Sequence, residues 1–395
     1  MGITNFWGDF SHGILQPTNV ITAHAETTIN AENQGMVGNS QTPNNTALQT
    51  LLDKWGKNDL TVNIPKGIYL FNAGNIKLNS NITFNFDKGA VFKVKSGDNE
   101  VNFIYPSPKP GYNGGISNIN WQNATFKGDN TPLGQSIFAQ SIHHAKNVTF
   151  NNCTFDNAES PGGHCLDIDG SHHISITNSR FVGFNPEKNQ DYKEAIQIDY
   201  SNLTAMTYRN PGDKYDNLPT YDVKVNNNQF LPIYGHAGQI TSYAPNPIGE
   251  HIVYNNGRSG VIHDIHFTNN TIIDPKPLSK NDSATIRFID VSNLWIKNNK
   301  FINRRVSSSG NYIYLKNIIA NYKMKNLNIK NNTFTNINPN KQYILLHSIN
   351  KKNPMLNINI TGNKVFHQRN TTPFVTGNFP LNLSSIKISN NKFHK

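Results

Sequence analysis

One nine-residue pattern recurs along most of the chain and sets what it can fold into: Asn or Asp, apolar, any, apolar, any, Asn, Asn, any, Phe. It reads Asn118-Ile-Asn-Trp-Gln-Asn-Ala-Thr-Phe126 and Asn147-Val-Thr-Phe-Asn-Asn-Cys-Thr-Phe155, and it returns from His173 to Phe181 and from Asp222 to Phe230. Further copies begin at Asp264, Asn293, Asn326, Asn357 and Ser385, with a weaker one at Asn81. The nine good starts are separated by 29, 26, 49, 42, 29, 33, 31 and 28 residues. Periods in this range mean stacked structural units. Within each unit the apolar residues alternate with period two, which is the signature of strands. The Asn pair falls where the strand must turn, because Asn tolerates the left-handed conformation of a sharp corner. Stacked at about 4.8 Å, equivalent Asn side chains can also hydrogen-bond from coil to coil. Asn accordingly supplies 64 of the 395 residues, while charged residues are only 15%.

A second short strand precedes most copies: Cys165–Asp169, Ala195–Asp199, Thr285–Ile289, Tyr312–Leu315 and Tyr343–Leu346. Several short strands per coil of about 30 residues, with no helices between, describe an all-β right-handed parallel β-helix. A propeller is the other repeat fold considered, but each of its blades needs four strands over about 40–50 residues. The open N-terminal end of a solenoid must be covered. Pro43-Asn-Asn-Thr46, followed by Ala47, Leu48, Leu51, Leu52 and Trp55, predicts a short capped amphipathic helix. The expected organisation is an N-terminal segment over 1–43 and a single β-helix domain over 44–395, with long loops at about 183–221 and 231–263.

Leu60-Thr-Val-Asn-Ile-Pro-Lys-Gly-Ile-Tyr-Leu70 follows the helix, and then Asn81-Ile-Thr-Phe-Asn-Phe-Asp-Lys-Gly-Ala-Val-Phe92. Helix, Val-x-Ile-Pro-x-Gly-x-Tyr and Asn-Ile-Thr-Phe…Lys-Gly-Ala together resemble the N-terminal cap and first coils of the pectate-lyase-like β-helix superfamily. That group contains polysaccharide lyases, polygalacturonase-like hydrolases, epimerases and phage tailspikes, and the resemblance covers about residues 44–395. It implies the fold; it does not choose the reaction.

The long gaps after His173 and Asp222 mark insertions, which in solenoids collect on one face and build the binding site. Eight of fifteen Tyr lie between 192 and 254, and nine of fourteen His between 143 and 266. Flat aromatic faces with a polar tip suit sugar rings, and they equally suit packing of loops onto the barrel. Leu166 and Ile168 face inward, so Asp167 and Asp169 face outward; in the next coil Gln197 stacks near Asp167 and Asp199 near Asp169. Glu194 falls beside His164, and Arg287 emerges two coils on, with His236 and Gln239 expected in the coil between. Outward neighbours on a strand lie about 6.5–7 Å apart and neighbours across coils about 5 Å. The first spacing suits an inverting glycosidase, the second a retaining one. Clustered carboxylates also raise one another's pKa, as a general acid requires. A water- or Ca²⁺-binding Asp ladder is the alternative.

The candidate catalytic residues are therefore Asp167, Asp169, Glu194 and Asp199, and the candidate substrate contacts are His164, Lys193, Gln197, Tyr200, His236, Gln239 and Arg287. Polygalacturonases are resembled in part: Gly163-His-Cys-Leu-Asp-Ile-Asp169 occupies the place of that family's Gly-Asp-Asp-Cys strand, but its Asn-Thr-Asp, Gly-His-Gly and Arg-Ile-Lys motifs are missing. Pectin is thus not implied. The block from His164 to Asp199 also resembles uncharacterised β-helix proteins of Gram-positive bacteria. Three functions follow. One is a glycoside hydrolase using paired carboxylates, with no cofactor. Another is a polysaccharide lyase acting on a uronate polymer with Ca²⁺ and a base such as Lys193 or Arg287. The third is a non-catalytic glycan- or wall-binding protein.

Two cysteines, Cys153 and Cys165, have no metal-ligand spacing and read as small buried residues, with a single cross-link between turns as the alternative. No apolar run approaches the about 18 residues of a membrane span. Ala23-His24-Ala25 fits a signal cleavage site, but the residues before it lack a clean apolar region. Residues 1–25 read instead as an ordinary N-terminal segment or the remnant of a leader. The expected location is secreted or on a bacterial cell surface, as a monomer. The formal charge of +11 divides unevenly: residues 295–395 hold 16 Lys/Arg and no acid, residues 1–294 hold 20 Lys/Arg and 25 acids, so −5. The basic last coils are expected to contact an anionic cell wall; the fold argues against nucleic acid.

Overall fold

The computed structural model describes residues 26–57, 59–95, 100–128, 137–158, 164–184, 194–276, 284–305, 311–319, 322–337, 342–348, 355–367, 373–377 and 385–394. Three parallel sheets run its length: sheet A of 12 strands from Glu26–Asn30 to Ile386–Ser389, sheet B of 12 from Asn39–Pro43 to Lys392–His394, and sheet C of 10 from Gly74–Lys77 to Val375–Gly377. The chain visits A, B and C in turn, coil after coil, as a right-handed parallel β-helix. All nine copies of the repeat supply a sheet A strand, and the second strands anticipated from the sequence form sheet C.

The corners explain the asparagines. The first residue of each copy from Asn118 to Asn357 has φ between 49° and 62°, and the first Asn of the pair, at 123, 152, 178, 227, 269, 298, 331 and 390, has φ between 55° and 60°. These are left-handed turns that few side chains tolerate. The second Asn of the pair points inward and is buried at 228, 270, 299, 332 and 363. Asn299 shows the pattern: its Oδ1 accepts Asn270 N–H at 2.9 Å, while its Nδ2 donates to Phe267 O at 2.9 Å and to Asn332 Oδ1 at 3.0 Å. Outside, Asn118, Asn147, Asn293, Asn326 and Asn357 form a second, exposed ladder. Inside, Phe126, Phe155, Phe181 and Phe230 stack with centroids 5.1, 4.7 and 5.0 Å apart.

Three features differ from the sequence expectation. Among the described residues the solenoid already includes strands before 44: Glu26–Asn30 and Asn39–Pro43 head sheets A and B, but these mostly exposed edge strands carry no apolar alternation to betray them. The helix, α1 (Asn45–Trp55), stands where that first coil would have a sheet C strand, burying Leu48, Leu51 and Leu52. Gln49 bonds it to the sheet C edge through Lys77 N–H at 2.9 Å. Asn44 precedes the helix without capping it; its side chain instead ties Val37, Thr42 and Leu70 together. The expected loop 231–263 is two loops, because Asn246–Gly249 is a sheet C strand; Pro247 and Gly249 hid it.

The buried ladder should carry stability out of proportion to its size. Asn299→Ala removes the acceptor of the Asn270 N–H and the side-chain donor to the Phe267 carbonyl, and should lower stability by about 2–4 kcal/mol. Lys300→Ala, one residue away and exposed, should change it by less than about 0.5 kcal/mol. Urea unfolding followed by circular dichroism measures both.

Candidate active site

The outer face of sheet C is built by register. Leu166, Ile168, Ile196 and Ile198 fill the core, and Asp167 lies opposite Gln197 and Asp169 opposite Asp199. The rows continue: Ser141 and His143 precede Asp167 and Asp169, while Gly249 and then Arg287 follow Gln197. The stacking read from the sequence is therefore the stacking observed. The exposure is not what a cleft would give: Asp167, Asp169 and Asp199 are each 1% exposed or less, and Glu194 is fully buried.

The 200–220 insertion seals them. It leaves sheet C after Asp199 and folds back over the preceding coils. Thr207 N–H donates to Asp167 Oδ2 at 2.6 Å. Asp213 accepts from His143 Nδ1 at 3.2 Å, Ser201 Oγ lies 2.9 Å from His143 Nε2, and Tyr215 stacks on the His143 ring at 5.1 Å. Beside it, His144 bridges Asp216 at 2.9 Å and Ser107 Oγ at 2.6 Å. Each histidine thus stands between a serine and an aspartate, the constellation of a nucleophilic triad. Ser107 and Ser201 are fully buried, however, so no acyl group reaches either oxygen. The two networks act as clasps that hold the insertion down. Burial works to raise the Asp213 and Asp216 carboxyls, yet the hydrogen bonds they accept, from His143 and Asn210 and from the Gly111 N–H, hold both below the ordinary carboxylate value.

The sealed carboxylates behave oppositely. Burial, and then the neighbouring charges of Asp167 and Asp199, push Asp169 well above the ordinary value. Burial raises Asp199 to about 7 against the hydrogen bonds it accepts from Gln197 Nε2 at 2.7 Å and Tyr200 N at 2.8 Å. Glu250 and Asp290, which the sequence reading missed, belong to the same group. Glu250 is fully buried and raised by burial, Asp199 and Asp290; burial raises Asp290 to about 6. His251 was missed as well: its Nε2 lies 2.9 Å from the Glu194 carboxylate and its ring 5.8 Å from that of His164, which bonds Glu194 O at 2.6 Å. The signal for both was positional. Asn246–Gly249 pairs with Glu194–Gln197, and Glu250 and His251 follow that strand directly, with Pro and Gly obscuring it.

Of the other candidates, Gln197 lies in the cluster, and Arg287 lies on the same outward row, half-buried. Tyr200 is fully buried, so it packs the core and offers sugar no face. His236 and Gln239 are exposed at the tip of an antiparallel hairpin, Ile233–Tyr234 with Ile240–Ser242, which leaves the solenoid before sheet C resumes; they do not join the carboxylates. Lys193 lies outside the described residues. Cys153 and Cys165 are buried and unlinked. Among the described residues no three His, Cys, Asp or Glu side chains are arranged to hold a metal ion, and no helix is long and apolar enough to cross a membrane.

No protein-family model matches the chain. A stretch of 220 residues is 26% identical to the plasmin and fibronectin-binding protein A of Streptococcus pneumoniae, covering 49% of this chain but only 30% of that protein, so the match spans less than a third of its length. The solved structure of the Streptococcus pneumoniae surface protein and adhesin PfbA superposes with a TM-score of 0.56 at 19% identity, over 93% of this chain and 100% of that one. A hyperthermoactive exopolygalacturonase from Thermotoga maritima gives 0.53 at 11% identity, over 90% of each chain. These likenesses show the fold, a right-handed parallel β-helix.

The raised carboxyls give stability a sign. A carboxyl whose pKa is higher in the fold than in the unfolded chain stabilises fully below its unfolded value, near 3.8, and that contribution is lost as the pH rises through about 7 for Asp199. Asp199→Asn should therefore melt close to wild type below about pH 4 and increasingly above it between about pH 4 and 7, the gap levelling off beyond. Calorimetry of both proteins from pH 3.5 to 8.5 measures the difference; a gap that does not grow with pH would count against it.

Proposed function

We propose that the chain cleaves glycosidic bonds of an extracellular polysaccharide as a glycoside hydrolase, using the carboxyl groups of sheet C. One observation carries this: Asp169 and Asp199, direct register partners on adjacent coils, both have pKa values displaced upward, Asp199 to about 7. A carboxylic acid that stays protonated near neutral pH is what protonation of a departing glycosidic oxygen needs. Asp169, raised by burial and by both neighbouring aspartates, is the proton donor in this reading; ionised Asp199 attacks the anomeric carbon as the protonated sugar leaves, and water, giving its proton to Asp169, then breaks the Asp199 ester. Partners across coils stand about 5 Å apart, the separation of retaining enzymes. Asp167 and Gln197 hold the substrate beside them. The chemistry is proton transfer and displacement by side chains, with no metal; Ca²⁺ belongs to the elimination alternative. Sugar reaches the acids once the 200–220 insertion lifts from Asp167.

A second reading is favoured by the same burial. Acids sealed beneath a clasped loop suit a glycan- or wall-binding protein whose carboxylates are structural, and the similar Streptococcus pneumoniae protein is a surface adhesin. Both readings put the protein on or outside a bacterial cell.

A panel of wall and exopolysaccharides, assayed for reducing ends with NMR of the products, separates them. The hydrolase reading expects Asp169→Asn and Asp199→Asn each to lose at least about a hundredfold in kcat, glycan binding to persist, and the anomeric configuration to be retained. Cleavage should be unchanged by EDTA; a chelator-sensitive product with ultraviolet absorbance would mean elimination instead. Binding without any sugar release by the wild type would leave the adhesin reading.

A further inference from the structure

The 16 Lys/Arg of residues 295–395 meet no acid in that stretch, and the coils do not spread them evenly. The last outward row of sheet A reads Lys297, Lys330, Thr361, Ser389 in register. The first row of sheet B, just around the Asn corner, reads Lys300, Thr333, Lys364, Lys392. In the three preceding coils the same positions are Thr177 with Arg180, Asn226 with Gln229, and Thr268 with Thr271. Five lysines thus lie along one edge over four coils, where the three coils before carry a single charge.

From the geometry of this edge we infer that it is a docking site for a linear phosphodiester polymer lying parallel to the solenoid axis. This goes beyond the carbohydrate cleavage proposed above and does not depend on it, since the edge and the sheet C carboxylates lie on different faces. Lys300, Lys364 and Lys392 are exposed and Lys297 and Lys330 half-exposed, and among the described residues none of the five makes an ion pair. Lys297 and Lys330 are register partners, as are Lys364 and Lys392, and like charges directly opposite repel. Lys297 shows the strain: partial burial and then the charge of Lys330 lower its pKa. A polyanion offering one charge per repeat would relieve that repulsion coil by coil, because the coils rise by about 4.8 Å and Lys300 to Lys392 spans about 15 Å.

The chemistry selects phosphate. The edge offers compact ammonium groups, which suit phosphate as point charges, and none of the planar guanidinium forks that pair two-to-two with carboxylates. Thr333 and Thr361 interleave hydroxyl donors. The two rows themselves carry no aromatic side chain, and Trp295, whose ring lies 5.9 Å from Lys297 Nζ, is already stacked on His266 at 4.1 Å, so the edge offers no run of faces to successive bases.

Two triple variants of equal net charge test the inference: Lys300→Gln/Lys364→Gln/Lys392→Gln on the edge, and Lys54→Gln/Lys57→Gln/Lys88→Gln, all exposed, on the opposite end of the solenoid. Melting temperatures confirm that both fold, as exposed substitutions should. Binding to poly(glycerol phosphate) is measured by isothermal titration at low and high salt. Wild type should bind at low salt and weaken steeply with added salt. The edge variant should lose at least about tenfold with a shallower salt dependence, and the control should stay within about threefold of wild type. Equal losses in the two variants would reduce the effect to net charge and overturn the site. Tighter binding of polygalacturonate or single-stranded DNA would overturn the phosphodiester assignment, and no binding by wild type at low salt would overturn both.

Discussion

Each coil must swing its strand from one flat sheet into the next within two residues, and a pair of asparagines makes that turn. The first takes the left-handed conformation, at a cost smaller for Asn than for a branched side chain. The second turns inward, where its amide would be expensive to bury alone. It is not alone: Asn228, Asn270, Asn299, Asn332 and Asn363 bond each to the next, and each also to a backbone carbonyl on the neighbouring sheet A strand of the preceding coil. Such a chain of amides is satisfied only when coils stack in one register. A slip of one residue would expose every core side chain on that strand. The ladder therefore fixes more than stability. It fixes which outward side chain stands beside which, from one end of the solenoid to the other.

That fixed register brings Asp169 beside Asp199 and leaves them no freedom to separate. The fold tolerates the repulsion because Asp169 holds its proton while Asp199 ionises only near pH 7, and the loops deepen the burial that raises both. Two serine–histidine–aspartate networks close the lid at His143 and His144, where neutral partners and charged ones satisfy each other. A cluster like this opposes folding at neutral pH, a cost that the rest of the solenoid must offset.

Local rules and register were legible in the sequence, and departures from the coil were not. The period-two runs located sheets A and C. The alternation of Leu166, Asp167, Ile168 and Asp169 against Ile196, Gln197, Ile198 and Asp199 gave the true pairing of the carboxylates, because a solenoid coil contacts mainly its neighbours. His236 and Gln239 were misassigned because nothing in the pattern distinguishes a hairpin that leaves the barrel from a coil that continues it. Glu250 and His251 were missed because the strand before them, Asn246–Gly249, is four residues long with Ile248 as its one apolar inward marker and Pro247 and Gly249 beside it. The covering of Asp167 by Thr207 is a contact between residues 40 apart with no periodic signature, so the sequence suggested an open patch where the structure has a sealed one.

The same near-neighbour logic lets one chain keep opposite charges apart. In a globular core a net excess of positive charge in one hundred residues would be folded back against the acids of the rest. Here each coil passes its charges mainly to the coils beside it, so Lys297, Lys300, Lys330, Lys364 and Lys392 make no ion pair among the described residues and line up instead of pairing. Surface charges separated by more than about 8 Å hardly sense one another at physiological salt. The lysine edge and the buried carboxylates therefore act as separate electrostatic objects, and the net charge of +11 describes neither.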